Sequence, residues 1–422
     1  ASDQSRFNQG IFTKKLFRMG FSTPESQQMK SDQLQKIENI IQEGIGNKAF
    51  PGAVVMVARK GKVIYHEAFG NHTYQSKNQV SKEDVYDLAS ITKAAASTLA
   101  IMKMEELGLL HIDDPLEKYF PELIDTDKSQ ITLRALMTHT AGLKSWIPFY
   151  KSTLVKEKKT VYPSQDYYHR DKTESFEVEV ADKMYLRKDF ADSVKLAVLC
   201  SPISSNQNYL YSDLGFIMIG ELVFRLTGMD LDQWVQKHIY KPLQIDKIGF
   251  KPLTWTNPER IVPSEEDRYF RKQILKGHVH DMTAAMLGGV SGHAGLFSNA
   301  LDLGIVMQML IQGGNYGGLK ILEKSTVLKF TKRQPVPGAR GIGFDMKDLE
   351  TFGHTGFTGT MVWADPLHEL VVVFLSNRTY PTMRNAAINK YEIRKKIWDA
   401  IYESLNPEEE RFWAKIDEEE FN

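Results

Sequence analysis

Hydrophobic and polar positions change their period twice along the chain. In residues 31–45 the apolar side chains recur at helical spacing, which predicts an amphipathic helix with Ser31 as its N-cap. Two β-rich runs follow on either side of residues 59–62, and a glycine turn between such runs predicts a β-hairpin. The chain is therefore expected to open with a helix and a hairpin.

The pattern between Ser90 and about residue 285 is mainly helical. A helix that begins at Ser90 is expected to end at Gly108, because glycine is typical of helix C-termini. Residues 144–190 combine aromatic side chains with dense charge and show no sustained period. Large aromatic side chains such as Trp146 are costly to expose, so this segment favours a lid or pocket wall over a plain insertion.

After residue 285 the pattern returns to strands. A glycine-rich loop leads into a helix at which Asn299 and Asp302 have capping-box spacing. Three strand candidates follow, in "ARGIGFDMK", "GTMVWADP" and "ELVVVFLSNR", and then an amphipathic last helix. Strands at both ends with helices between them predict one α/β sheet built from both ends of the chain.

The predicted organisation has four parts. They are an N-terminal strap or linker at 1–30, an α/β domain from 31–85 plus 286–405, a mainly helical domain at 86–285 with the aromatic, charged insertion at 144–190, and an acidic tail at 406–422. The chain starts at Ala1 rather than Met and shows no charged-then-apolar leader, so processing or trimming upstream of this residue is expected.

Composition narrows the classes of partner. The 422 residues include 42% hydrophobic and 25% charged residues, which is typical of a globular protein with a large core. Lys plus Arg and Asp plus Glu are both 53, so no broad electrostatic field attracts nucleic acid or an anionic membrane. No apolar run approaches the roughly 20 residues of a membrane span. Cys200 is the single cysteine, which excludes an internal disulfide.

The first candidate for chemistry is the tetrapeptide Ser90-Ile91-Thr92-Lys93 at the start of the predicted helix. Residues three apart share a helix face, so Lys93 can take the Ser90 hydroxyl proton if burial keeps the amine partly neutral. The helix N-terminus also favours negative charge on the attacking oxygen. The alternative makes Ser90 an N-cap and Lys93 a solvated surface residue, and the tetrapeptide alone favours that alternative.

Two further stretches reverse this preference. Tyr211 stands in a Tyr-x-Asp triplet ahead of an apolar helix, and His354-Thr355-Gly356 begins a strand candidate. Together with Ser90-Ile91-Thr92-Lys93, and in this order, they resemble the three signature motifs of the penicillin-recognising serine hydrolases, particularly the class C β-lactamase and low-molecular-mass penicillin-binding protein branch.

The resemblance covers roughly residues 24 to 404. The segments "HIDDPLEKYFPE", "ALMTHTAGL" and "AGLFSNALDL" are similar to further family segments. The stretch "VHDMTAAMLGGVSGHAGLFS" resembles the penicillin-binding-protein-like hydrolases of Gram-negative envelopes, some of which are fused behind a glycosidase. The implied fold is the α+β fold of β-lactamases and transpeptidases, an antiparallel sheet flanked by helices with an inserted helical domain.

The resemblance also implies roles for individual residues. Ser90 is the acylated nucleophile, Lys93 helps to deprotonate it, and Tyr211 relays protons to and from the leaving group. The backbone amides of Ser90 and Phe357 form the oxyanion hole. Further residues are expected to bind substrate, namely His354, Thr355, Gly356, Asp213 and Trp146. No cofactor and no metal are expected.

Two departures from the family pattern change the expected substrate. Asp213 stands where β-lactamases usually have asparagine, and its carboxylate either repels an acidic substrate or pairs with Lys93. His354 replaces the usual lysine of the third motif and, with an ordinary pKa of about 6.5, is largely neutral at pH 7. Both changes argue against an efficient β-lactamase and leave D,D-peptidase, amidase and esterase chemistry open.

The expected function is that of a serine hydrolase, a D,D-peptidase or amidase acting on cell-wall peptides through an acyl-enzyme on Ser90. An esterase or a weak β-lactamase of the same fold is the alternative, with a small-molecule or peptide substrate in each case. A non-catalytic binding or sensor module is the alternative of another class, and Ser90, Lys93 and Tyr211 together speak against it. A periplasmic or secreted location follows from the resemblance, and no oligomeric state is predicted.

Other signals favour structural roles. His278 to Asp281 together with His293 allow a metal site, but no helical His-Glu-x-x-His pattern supports one, so structural histidines are preferred. His139 is expected to hold a turn by hydrogen bonds. The glycines at 288, 289, 292 and 295 lack a following Gly-Lys-Ser/Thr, which favours a tight loop at the pocket edge over a phosphate site.

Overall fold

The protein has a mixed α/β architecture with a seven-stranded sheet between layers of helices. The computed structural model describes residues 17–204 and 209–405. From one edge to the other the strands are Gly20–Phe21, Lys62–Gly70, Gly52–Arg59, Leu370–Ser376, Met361–Asp365, Phe352–Thr355 and Asp345–Met346. The first two are parallel and all other neighbours are antiparallel. The sheet therefore combines strands from both ends of the chain, as predicted.

The two central strands explain why helices cover both faces of the sheet. Every residue of Gly52–Arg59 and Leu370–Ser376 is buried. Because side chains alternate along a strand, Val54 and Met56 enter one core whereas Val55 enters the other. The helix Ala300–Ile311 packs on the first face, and the helices Lys36–Gly46 and Ile393–Glu403 pack on the second.

The predicted hairpin is confirmed. Its turn consists of Lys60 and Gly61, with φ of 50° and 71°, and joins Arg59 to its partner Lys62. Positive φ at both central residues is what a tight two-residue hairpin requires. The strand Gly20–Phe21 of the predicted strap adds to this hairpin at the edge of the sheet. Residues 1–16 of the strap lie outside the described residues.

Helices account for most of the remaining regular structure. Ser31 is not the N-cap that the sequence predicts, because it is the first residue of the helix and Lys30 is the N-cap. The Ser31 amide donates to the Glu25 carboxylate (3.1 Å). Asn299 is confirmed as an N-cap and accepts the Asp302 amide (2.8 Å). The other α-helices are Ser31–Leu34, Leu99–Glu106, Leu133–Met137, Lys188–Leu199, Asp213–Thr227, Leu231–Val235, Lys241–Leu243, Met282–Met286, Lys324–Thr331 and Ala387–Lys390, with π-helical segments at Lys93–Thr98 and Gln236–Tyr240.

The segment 144–190 forms short strands where the sequence pattern shows no period. Strands of two to six residues are too short to produce a sustained alternation. Tyr150 and Tyr168 pack their rings against Phe270, at 5.2 and 5.8 Å between centroids, so these aromatic residues belong to a core. The paired strands are Leu154–Glu157 with Thr160–Pro163, and Tyr168–His169 and Phe176–Ala181 with Met184–Arg187.

A small three-stranded sheet positions the site. Its strands are, in order, Ile248–Phe250, Leu296–Ser298 and Tyr86–Asp87. It places the end of the glycine-rich loop beside the segment that leads to Ser90. Two further hairpins pair Glu265–Asp267 with Gln273–Leu275 and Asn315–Tyr316 with Leu319–Lys320.

The boundaries of the two domains at residues 86 and 285 stay predictions. The predicted acidic tail at 406–422 lies outside the described residues. Within residues 17–204 and 209–405, none of the helices has the length and apolar character that crossing a membrane requires.

Candidate active site

Ser90 lies where an extended segment turns into a helix. Ala89 before it has φ of 47°, a left-handed conformation that is uncommon for a residue other than glycine and is found at functional sites. Two hydrogen bonds to side chains help to hold this conformation: the Ala89 amide donates to Asp87 Oδ1 (2.8 Å), and the Ala89 carbonyl accepts from Thr92 Oγ1 (2.7 Å). The Ser90 side chain is thereby presented at the N-terminus of the helix that continues through Lys93–Thr98 and Leu99–Glu106, called here the helix of Ser90.

Lys93 lies one turn further along and is completely buried, with 0% of its surface exposed. Its Nζ donates to Ser90 Oγ (2.9 Å) and to the His293 carbonyl (3.1 Å). Asp213 Oδ1 is 2.7 Å away and forms an ion pair that is not aligned as a hydrogen bond. The alternative in which Lys93 is a solvated surface residue is therefore wrong.

The charge of Lys93 differs from the expectation of a partly neutral amine. Burial acts to lower its pKa, but the Asp213 carboxylate and Tyr211 together outweigh burial and hold the pKa of Lys93 above its ordinary value. The lysine is therefore an ammonium ion at neutral pH. Of the two roles left open for Asp213, the structure shows the pairing with Lys93.

Tyr211 completes this cluster from the other side. Its ring centroid lies 5.0 Å from Lys93 Nζ, and the residue stands directly before Ser212, the N-cap of the helix Asp213–Thr227. Burial raises the pKa of Tyr211, while the charge of Lys93 and hydrogen bonding to Ser90 act in the opposite direction without cancelling it. Tyr211 is therefore a phenol at neutral pH, within the influence of both residues of the first motif.

His139 supports the tyrosine, and its predicted role in holding a turn is confirmed. Its Nδ1 accepts from the Ser212 amide (3.1 Å), and its carbonyl accepts from the Leu210 amide (3.0 Å). The imidazole lies 4.4 Å from the Tyr211 ring. Burial, followed by the charges of Arg340 and Lys93, lowers the pKa of His139 well below 6.5, in agreement with an unprotonated Nδ1.

The third motif lies against the segment that precedes Ser90. Thr358 Oγ1 donates to the Asp87 carbonyl (2.7 Å), and Thr360 Oγ1 donates to the Leu88 carbonyl (3.2 Å). A Cβ atom on Gly356 would stand 2.4 Å from that same Leu88 oxygen, so only glycine fits. The next residue, Phe357, has 51% of its surface exposed. The oxyanion hole formed by the Ser90 and Phe357 amides stays a prediction, which this close approach supports.

His354 is buried on the strand Phe352–Thr355. Its Nδ1 donates to the Thr355 carbonyl (2.7 Å), and its Nε2 has no hydrogen-bond partner among the described residues. Burial, together with the charges of Arg340 and Lys93, lowers the pKa of His354 well below 6.5. A cationic His354 that binds a substrate carboxylate is thus disfavoured even more strongly than the sequence indicates.

Arg340 is the charged residue of the site that the sequence motifs do not reveal. Its guanidinium lies 5.4 Å from the Tyr211 ring centroid and donates to the Tyr209 hydroxyl at 2.6 Å from Nη2. The side chain is buried, and its guanidinium pairs with the Asp345 carboxylate at 3.6 Å. The sequence indicates Arg340 only as part of a strand candidate, because the contacts that bring it to Tyr211 are long-range.

Trp146 lies on the loop beside the Tyr-x-Asp motif. Ser212 Oγ donates to the Lys144 carbonyl (2.6 Å), and the Asp213 amide donates to the Ser145 carbonyl (2.9 Å). These bonds hold the two residues that follow Tyr211 to the loop. Trp146 has 39% of its surface exposed, and its role in substrate binding stays a prediction, as do those of Thr355 and Gly356.

The three histidines considered for a metal site each pair with a carboxylate of their own. The pairs are His278 with Glu179 (3.1 Å), His280 with Glu265 (2.8 Å) and His293 with Asp281 (2.8 Å). In the described ranges no group of three or more potential metal-binding side chains comes together. His293 also belongs to the glycine-rich loop, whose Gly292 carbonyl accepts from Ser97 Oγ (2.6 Å). This loop therefore packs directly on the helix of Ser90.

Comparisons with known proteins show which family and which fold this chain resembles. A family model described as Beta-lactamase matches residues 37–394. A protein of Salmonella gallinarum (strain 287/91 / NCTC 13346) named "Putative D-alanyl-D-alanine carboxypeptidase" is 26% identical, covering 91% of both chains. The "N-acetylmuramyl-L-alanine amidase" of Bacillus subtilis (strain 168) is 29% identical over 84% of this chain and 83% of its own. The solved structure of "EstCE1, a hydrolase with promiscuous acyltransferase activity" has a TM-score of 0.62 at 20% identity, covering 88% of this chain and 99% of that one.

Proposed function

Because the chain belongs to the β-lactamase family and is a serine hydrolase, we propose that it hydrolyses an amide bond in a cell-wall peptide through an acyl-enzyme on Ser90. One observation carries the proposal: a buried lysine Nζ lies 2.9 Å from the Ser90 hydroxyl, beside Tyr211 and Asp213. The two relatives named as a carboxypeptidase and an amidase support an amide substrate.

The protonation states lead to a specific proton path. Lys93 donates a hydrogen bond to Ser90 Oγ, so the hydroxyl hydrogen of Ser90 is free to point towards Tyr211. As Ser90 Oγ bonds to the substrate carbonyl carbon, its proton moves to the Tyr211 oxygen, and the phenol proton moves to the leaving nitrogen while the C–N bond breaks. Water then attacks the ester, and the reverse transfers return a proton to Ser90. Lys93 stays an ammonium ion and stabilises the charge on the serine oxygen.

The positive charge that a carboxylate-bearing substrate needs is assigned to Arg340. His354 is neutral, whereas Arg340 is charged and lies over the Tyr211 ring. The half-exposed rings of Trp146 and Phe357 are available to contact the rest of the substrate. Cell-wall peptides carry carboxylates close to their amide bonds, which fits the positive charge of Arg340 in the site. A periplasmic or extracellular location is proposed on the same grounds.

The proposal is tested by intact mass after incubation with a penicillin and by turnover of three substrates. These are a peptide ending in D-alanyl-D-alanine, a muramyl peptide with an L-alanyl amide bond, and a simple ester. The matched control is Ser90→Ala, which removes only the hydroxyl. We expect an adduct and amide hydrolysis that both require Ser90. Ester hydrolysis without amide hydrolysis would favour an esterase, and equal background rates in both proteins would favour the binding module.

A further inference from the structure

The loop that carries His293 holds the helix of Ser90 at three successive points. Thr92 Oγ1 accepts from the Leu296 amide (3.1 Å), Lys93 Nζ donates to the His293 carbonyl (3.1 Å), and Ser97 Oγ donates to the Gly292 carbonyl (2.6 Å). On its other side the loop touches the helix Asp213–Thr227, where a Cβ atom on Gly292 would stand 1.9 Å from the Phe216 carbonyl oxygen. The loop is thus wedged between the helices that carry the first two motifs.

The ring of His293 is held by both of its nitrogens. His293 has 1% of its surface exposed; Nε2 lies 2.8 Å from Asp281 Oδ1, and Nδ1 lies 2.9 Å from Ser291 Oγ. A carboxylate at Nε2 requires a proton there, so in the neutral imidazole Nδ1 accepts from the Ser291 hydroxyl. The Asp281 carboxylate is itself fixed, because it caps the helix Met282–Met286 by accepting the Ala284 amide (2.7 Å).

The charge of Asp281 strengthens this arrangement. Burial acts to raise the pKa of Asp281, but the His293 imidazole and the Ala284 amide outweigh burial and hold the pKa below its ordinary value. The carboxylate is therefore ionised at neutral pH. Its hydrogen bond to His293 is charge-assisted, which makes it stronger than a bond between neutral groups.

We propose that Asp281, His293 and Ser291 are positioning residues that fix the His293 carbonyl and thereby direct the Lys93 ammonium group to Ser90. A glycine-rich loop has little rigidity of its own, because glycine restricts the backbone least. The lysine stem is long and flexible, so the direction of its ammonium depends on what it contacts. The clamped imidazole supplies the rigidity to the carbonyl on the same residue. This inference rests on the proposed function, in which Lys93 acts on Ser90.

The test compares two substitutions of His293 with one control substitution. In His293→Gln a side-chain amide can still donate to Asp281, whereas His293→Leu removes every hydrogen bond of the ring. The control is His72→Leu, because His72 is also buried and bonded to a carboxylate, Asp84 at 2.8 Å. The measurements are kcat and KM on an amide substrate, the rate of acylation by a penicillin, and Tm.

We expect His293→Leu to lower kcat and the acylation rate by about ten- to a hundredfold, the size of effect that a small misplacement of a catalytic group produces. KM should change little, and His293→Gln should retain more activity than His293→Leu. His72→Leu should lower Tm while the folded protein acylates at the wild-type rate. Should His293→Leu fail to fold, Ser291→Ala provides the same test, with a smaller loss of acylation expected.

Equal acylation rates for folded His293→Leu and His72→Leu would overturn the inference, since the histidine would then be merely structural. Absence of any adduct in the wild type would instead contradict the proposed function. In that case the Lys93 ammonium signal in nitrogen-edited NMR still tests the positioning role of His293. A shifted or faster-exchanging signal in His293→Leu supports the positioning role, and an unchanged signal overturns it.

Discussion

Replacing Gly356 by alanine tests whether the third motif must lie against the segment before Ser90. The new Cβ atom would stand 2.0 Å from Thr360 Oγ1 and 2.4 Å from the Leu88 carbonyl oxygen. The glycine backbone has little freedom to retreat, because its amide donates to the Thr360 carbonyl (2.8 Å) and its own carbonyl accepts from Arg394 Nη2 (2.8 Å). The strain must therefore be relieved largely at Thr360 and Leu88.

The displacement follows from the distances. The Leu88 oxygen has to move at least 0.6 Å to reach 3.0 Å, the shortest separation that real Cβ atoms show. That oxygen accepts from the Ile91 amide (3.2 Å), so it belongs to the turn that presents Ser90. Misplacing a reacting group by about 1 Å costs about a hundredfold in rate, so we expect kcat/KM to fall by about ten- to a hundredfold. Overpacking should also cost about 1–3 kcal/mol of stability.

The assay is single-turnover acylation by a penicillin, followed by intact mass, with Tm measured on the same samples. Gly46→Ala is the matched control, because a Cβ atom there meets no heavy atom within 4 Å. The control should acylate at the wild-type rate. If Gly356→Ala acylates as fast as Gly46→Ala, then Leu88 and the third motif do not determine the position of Ser90, and this explanation of the site is wrong.

Three further predictions concern the charges of the site. Asp213→Asn removes the charge that most raises the pKa of Lys93, so the pH profile of acylation should shift to lower pH. An unshifted profile would show that the ion pair does not control the pKa of the lysine. Arg340→Gln should raise KM for carboxylate-bearing peptides more than for an uncharged ester, with Arg340→Lys as the charge-preserving control, and an equal change for both substrates would refute its assigned role. His139 and His354 are neutral in the folded protein and bind protons in the unfolded chain. The free energy of unfolding should therefore fall by about 1.4 kcal/mol per histidine for each pH unit below about 6.5, which urea titrations between pH 7 and 5 would measure.

The parts of the fold that the sequence predicts are those with long periodic segments. The central strands Gly52–Arg59 and Leu370–Ser376 are mostly apolar runs that are rich in valine, and such runs identify buried strands whatever they pair with. The strands between 154 and 187 have no such signature. They are short, half-exposed, and stabilised by pairing and by aromatic contacts with Phe270, which is distant in sequence. Their existence depends on tertiary structure rather than on local pattern.

For the site, the three motifs and their order are sufficient to predict that Ser90, Lys93 and Tyr211 lie together. They are not sufficient to predict the charge of Lys93. The spacing of the first motif places Lys93 near Ser90, and burial alone would make the amine neutral. The opposite result comes from Asp213, which is far along the chain and stands where asparagine is usual in β-lactamases. One residue of the second motif thus raises the pKa of the lysine in the first motif, and only the folded contact reveals it.

The cation of the site is likewise determined by the fold as a whole. The third motif carries His354 in place of lysine, and this substitution by itself suggests that the site has lost its positive charge. The structure places Arg340 over the Tyr211 ring, where its charge helps to keep His354 neutral. Arg340 therefore makes a cationic histidine in the motif unfavourable, and under the proposed function it supplies the positive charge instead. The electrostatic potential that a substrate meets is a sum over the pocket, so a missing motif lysine is weak evidence for a lost carboxylate site.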